Sequence, residues 1–172
     1  MTAVAPAGWR PRLQRAAAEA PGAVLYDAER DLLVDLPSGK ALAVDWGSVA
    51  ALHERRNAGS GRPYLLLVRG DGRQLVVADV GLAFAPATAA TGPVPELPEV
   101  VCFRDLAAAE GRLTHFLLDH PGEEPGPSHV ALFLFCLAVV DGARAAGFDV
   151  GPEERRMERI LGELEARRKA GG

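Results

Sequence analysis

The sequence predicts an α+β protein: an antiparallel sheet of about six strands capped by a helix, followed by a C-terminal helical pair. Three observations carry this. Short apolar runs separated by Gly, Pro and Asp turns fill residues 23–103. From residue 105 onward the apolar period changes to that of a helix. Strands segregated from helices and joined by short turns argue for antiparallel pairing over a doubly wound parallel sheet.

The elements follow in order. Residues 1–8 are rich in Ala and Pro, and Trp9 to Ala20 carries Trp9, Leu13, Ala16, Ala17 and Ala20 at helical spacing before Pro21-Gly22 stops it. Ala23 to Tyr26 and Leu32 to Leu36 read as strands around the polar turn 27–31, and Ala41 to Trp46 follows the turn Pro37-Ser38-Gly39. The stretch from Ser48 to Arg56 is ambiguous: Val49, Leu52 and His53 have helical spacing, with Ser48 as the cap. Asn57 to Pro63 is a Gly-rich loop. Tyr64 to Val68 and Gln74 to Ala78 flank an Asp71-Gly72 turn, a hairpin signature because such turns need positive φ. Gly81 to Ala85 continues as a short strand, Ala87 to Pro98 reads as a loop or linker, and Val100 to Phe103 as the last strand.

Asp105 is expected to cap a helix with Leu106, Ala109, Leu113, Phe116 and Leu117 on one face. Pro121 to Pro127 breaks it. Ser128 is expected to cap an apolar helix ending near Gly147. Pro152, Glu153 and Glu154 suit the start of a last helix and Arg167, Arg168 and Lys169 its end, around a stripe of Met157, Ile160, Leu161 and Leu164. The organisation expected is a tail and short helix over 1–22, a strand-rich domain with its capping helix over 23–120, and a helical extension over 121–172 packed on it.

With 172 residues, 48% of them apolar, the chain can bury a core without disulfides or metal. Lys40 and Lys169 are the two lysines; the Arg, Ala, Gly and Pro bias points to a GC-rich bacterial genome. A net charge of −4 with no Lys/Arg stripe along the sequence argues against nucleic-acid partners. Cys102 and Cys136 lie among apolar neighbours and read as buried thiols. No basic-then-apolar start marks a secretory signal, and together these favour the cytoplasm. The apolar run Val130 to Val140 spans about 17 Å as a helix, too short for a hydrocarbon core of about 30 Å, so no transmembrane segment is expected.

The segment Ala41-Leu42-Ala43-Val44-Asp45-Trp46-Gly47-Ser48-Val49, the hairpin from Tyr64 to Ala78, and Val100 to Phe103 leading into a helix over Asp105–His120 resemble a bacterial pleckstrin-homology-like domain. The likeness covers roughly residues 23–120 and is one of layout, without a diagnostic motif. It implies a bent antiparallel sheet capped by a helix, and a binding scaffold rather than an enzyme. Phosphoinositide binding in that fold uses clustered basic residues near an early hairpin. Here that turn is Asp27-Ala28-Glu29-Arg30-Asp31, which is acidic, so lipid binding does not carry over.

Motifs for catalysis are sparse. There is no Gly-x-Ser-x-Gly; Ser38, Ser48, Ser60 and Ser128 read as turn formers or caps. Cys102 with His115 is the one Cys/His pairing worth weighing, and Asp79, between Ala78 and Val80, the most suspicious carboxylate. His115, His120, Glu123, Glu124 and His129 cluster in sequence, but His115 and His120 are five apart and do not share a helix face. No metal site or cofactor is expected. The helix after Ser128 is apolar on all sides and so needs cover on all sides. Leu132, Leu134, Phe135, Leu137 and Val140 are the candidate interface residues, and Leu134→Asp is expected to unfold the protein or abolish its assembly. The leading expectation is a non-catalytic adaptor or regulatory module with a protein partner, as a homodimer or otherwise. Two other classes stand beside it: a secretion-type chaperone for a protein client, and a small-molecule- or metal-dependent enzyme around Asp79, Cys102 and His115.

Overall fold

The computed structural model describes residues 3–86 and 100–172. The expected loop over Ala87–Pro98 falls outside them. Among the described residues the chain is α+β with eight strands, more than the six expected, in two antiparallel sheets. Helix α1 (Trp9–Ala18) precedes a three-stranded sheet in the order β1 (Val24–Asp27), β2 (Leu32–Asp35), β3 (Lys40–Ala43). A 3-10 turn at Trp46–Ser48 leads into a five-stranded meander: β4 (Val49–Arg56), β5 (Pro63–Arg69), β6 (Gln74–Ala78), β7 (Gly81–Phe84) and β8 (Val101–Cys102). Helices α2 (Phe103–Asp119), α3 (Pro127–Ala146) and α4 (Gly151–Ala170) close the chain.

Most expected elements stand within a residue or two, and the Asp71-Gly72 hairpin forms with Gly72 at φ 85°. The ambiguity at residues 48–56 resolves as strand. Val49 to Arg56 pairs along its length with β5, from Val49↔Arg69 to Arg56↔Pro63, and these ladder bonds outweigh a weak helical period. Ser48 caps no helix; its Oγ donates to the Asp45 carbonyl and closes the 3-10 turn. β4 has an open edge, and arginines cover it: Arg12 donates to the Leu52 carbonyl and Arg55 to the Glu54 carbonyl, which blunts it as a template for strand addition.

The helix starts also shift. Asp105 is not the cap of α2 but sits three residues inside it, accepting from the backbone N–H of the N-cap Cys102 at 2.9 Å. α3 begins two residues earlier than expected, with Gly126 as N-cap and Pro127 in the first turn, so Ser128 lies within the helix. It ends at Gly147, as expected.

One hydrophobic cluster runs through the chain, from Leu13 in α1 through Leu33, Leu65 and Leu82 in the sheets to Leu113, Val139 and Leu164 in the helices. At its centre Phe103 meets Phe84 and Phe148 edge to face, with ring centroids 5.4 and 5.0 Å away, and Phe84 and Phe148 are tilted against each other at 5.8 Å. α3 reaches this centre because of Gly142: a Cβ there would lie 2.8 Å from the Ala85 carbonyl oxygen.

The two sheets are tied by a buried carboxylate. Asp35, at the end of β2 and 1% exposed, accepts from Leu82 N–H in β7 at 2.8 Å, from Ser38 N–H at 3.1 Å and from Ser38 Oγ at 2.5 Å. Gly81 makes room for it. That residue has φ 108°, and a Cβ on it would stand 2.1 Å from Asp35 Oδ1. A second network fixes α1: Arg10 forks onto Asp31 at 2.6 and 2.9 Å, and the Tyr26 hydroxyl donates to the same carboxylate at 2.5 Å. The Arg10 guanidinium holds the Asp31 carboxyl well below the usual carboxylate range, with Tyr26 and the buried Trp46 indole, which makes no hydrogen bond of normal geometry, adding to it. Burial, then the bond to Asp31, pushes the Tyr26 hydroxyl up.

The helices are stitched by cations. Arg167, buried on α4, donates to the carbonyls of Leu117 and His120 at 2.7 Å and of Glu123 at 3.5 Å, satisfying the end of α2, and lies over the Phe116 ring. Lys40 joins β3 to α4 through buried Glu153, at 2.7 Å, and through the Asp149 carbonyl. Arg156 pairs with Glu110 of α2 at 2.6 Å.

Candidate interaction surface

α3 is 20 residues long because Pro127 preorganises its first turn and Gly147 supplies the left-handed residue that ends it. Its apolar run was expected to be covered all round. The structure covers half. At 100° per residue, Cys136, Val139, Ala143, Phe133 and Val140 fall on one arc and are buried against β7 and the neighbouring helices. The opposite arc, about 200° wide, carries Val130, Leu134, Leu137, Ala131 and Ala138, with Phe135 at one flank. On it Val130 is 46% exposed, Leu134 58%, Phe135 38% and Leu137 36%.

The candidate interface residues therefore divide. Leu134, Phe135 and Leu137 face outward. Val140 is buried in the chain's own core and Leu132 packs against that core. The exposure of Leu134 also overturns the ground for expecting Leu134→Asp to unfold the chain, because a charge there meets solvent. Val130, outside the expected set, also belongs to the outward face, and its spacing of four from Leu134 and seven from Leu137 is the sequence signal for it. The helix extends beyond the eleven-residue apolar run to about 30 Å, long and apolar enough by length and composition alone to cross a membrane, a test that the core helix of a soluble protein also passes.

The groove between α2 and the start of α3 holds about 390 Å³ and is lined by Gly111, Arg112, His115, Phe116, His120 and His129. Its histidines do not converge on one point. His115 pairs with Asp119 at 2.8 Å, His120 with Glu123 at 2.9 Å, and His129 stacks on Phe116 at 3.8 Å while its Nδ1 accepts from Gly126 N–H. Among the described residues no group of three His, Cys, Asp or Glu side chains is placed to hold a metal ion.

The other chemical candidates are apart. Cys102 caps the start of α2 and His115 lies 13 residues on, about 20 Å along the helix axis. Burial pushes the Cys102 thiol up, the reverse of an activated nucleophile, and Cys136 is pushed up to about 11 by burial and then by Glu110. Both cysteines are free. Asp79 sits at the β6–β7 turn beside Arg62, 3.5 Å away, as a half-exposed ion pair. On the far side, folding gathers Arg12, Arg15, Arg55 and Arg56 around a groove of about 490 Å³, a cluster that linear spacing did not reveal. Glu54 answers two of them, Arg12 at 3.2 Å and Arg15 at 3.9 Å.

With this geometry in view, comparisons with protein-family models, curated proteins and solved structures found no match to the chain.

Proposed function

We propose that the chain is a non-catalytic protein-interaction module of the adaptor or regulatory kind, docking through the outward face of α3. One observation carries this reading: Val130, Leu134 and Leu137 form an exposed apolar stripe, with exposed Phe135 at its flank, on a helix whose other half is anchored in the core. Single exposed apolar residues are ordinary, whereas three on one face of a helix with a fourth at its flank form a patch of the kind that marks binding. A strand-rich antiparallel body followed directly by α2 supports the pleckstrin-homology-like reading of residues 23–120, and with it a scaffold role.

The test is affinity purification with the full chain as bait, wild type against Leu134→Asp. The variant is expected to keep its circular dichroism and melting temperature, since Leu134 meets solvent, and to lose the proteins that the wild type retains. Identical retention by both would overturn the reading.

A further inference from the structure

We infer that the occupant of the α3 face is a second copy of this chain, packed antiparallel about a twofold axis through Leu134. This rests on α3 being the docking surface, as proposed above. The outward stripe is symmetric in kind about Leu134. Val130 stands four residues before it and Ala138 four after; Ala131 and Leu137 stand three away on either side; Pro127 and Asp141 stand seven away. An isologous contact needs a patch that complements itself when reversed, and this one does: small residues oppose large, Val130 against Ala138 and Ala131 against Leu137.

Charge completes the match. Pro127 has no N–H and the His129 and Val130 N–H groups bond the Gly126 carbonyl, but Gly126, the N-cap of α3, has no side chain to offer the Ser128 N–H, so this end keeps partial positive charge. Seven residues from the axis in the other direction stands Asp141, half exposed on the same arc. Reversal brings each Asp141 onto the other copy's uncapped helix start, twice per dimer. A parallel arrangement would set Asp141 against Asp141 and leave both helix starts unanswered. Arg144, bonded to Asp141 and Glu154, travels with that carboxylate toward the Glu123-Glu124 turn preceding α3, which limits repulsion there.

The experiment uses the full chain. Light scattering after size exclusion is expected to give twice the mass of one chain. Leu134→Glu is expected to give one chain mass with an unchanged circular dichroism spectrum, and a melting temperature that, unlike the wild type's, does not rise with protein concentration. Asp141→Lys is expected to weaken the dimer several-fold, and more so at low salt. Register is read from cysteine variants, the native Cys102 and Cys136 being buried. Leu134→Cys is expected to cross-link to itself on oxidation. Val130→Cys alone is not, but a mixture of Val130→Cys and Ala138→Cys is. Self-cross-linking of Val130→Cys would overturn the antiparallel arrangement. A single chain mass at every concentration would overturn the second copy, including if the chain then floats with lipid vesicles. If the monomer still captures a different protein that Leu134→Asp loses, only the second copy falls; if the two baits behave alike, the docking surface falls with it.

Discussion

The turns of the strand half and the helix C-termini of this chain are held by opposite charges, and the backbone decides which. Where strands meet turns, the groups left over are N–H donors, and carboxylates answer them: Asp35 takes Leu82 N–H and Ser38 N–H, Asp27 takes Glu29 N–H, and Asp45 takes Gly47 N–H. Where helices end, the groups left over are carbonyls, and cations answer them: Arg167 at the end of α2, Arg69 and Arg73 at the end of α3, and Lys40 at Asp149. A buried charge here needs no opposite charge if it meets enough backbone dipoles, as Asp35 does. The two halves teach that reading a buried ionisable residue begins with the backbone beside it.

That comparison is sharpest at Gly81. Gly81→Ala is expected to cost roughly 3–5 kcal/mol, because the new Cβ combines an unfavourable φ with expulsion of the Asp35 carboxylate. Asp35→Ala is expected to cost roughly 3 kcal/mol by stranding two backbone donors. Denaturant unfolding of the double variant separates the two: adding Gly81→Ala to Asp35→Ala should cost clearly less than Gly81→Ala alone, since the clash is gone. Full additivity would mean that Asp35 and Gly81 act independently.

On the helical side, Arg167→Ala is expected to cost about 3 kcal/mol, leaving the last carbonyls of α2 without donors. Arg167→Lys should recover less than half, because a point charge cannot serve several carbonyls at once. Equal stability of the Lys and Arg forms would show that charge alone suffices there.

Asp31 tests whether the front half also depends on an ordinary ion pair. Its folded-state pKa is depressed, so its contribution is present above the unfolded carboxylate range and is lost as pH falls through that range toward the lower folded value. Asp31→Asn is expected to be about 2 kcal/mol less stable than wild type at pH 7, with the gap closing as pH falls below about 4. A gap unchanged down to pH 2 would assign the effect to packing. The smallest effect is expected from Arg73→Ala. Its side chain is half exposed, so a melting curve should register a change of no more than about 0.5 kcal/mol.

Much of this was legible in advance from particular residues. The alternation in Leu32-Leu33-Val34-Asp35 places Asp35 on the same inward face as Leu33, and Arg167 continues the Met157, Ile160, Leu164 stripe by three residues. What no local pattern revealed was the answer on the other side: Leu82 N–H lies 47 residues from Asp35, and the Leu117 carbonyl 50 from Arg167. The state of β4 is ambiguous from sequence for the same reason, since its ladder partner decides it. The half-covered state of α3 was also out of reach, because uniform apolarity carries no phase to say which side is inward.

The distance between Leu117 and Arg167 has a temporal meaning. A ribosome adding about 5–20 residues per second needs roughly 3–10 s to make the 50 residues between them. Through that interval the end of α2 waits with bare carbonyls and Phe116 without the guanidinium that later lies over it. α2 therefore completes its end only after α4 has been made, and a chain without α4 leaves these carbonyls without their donor.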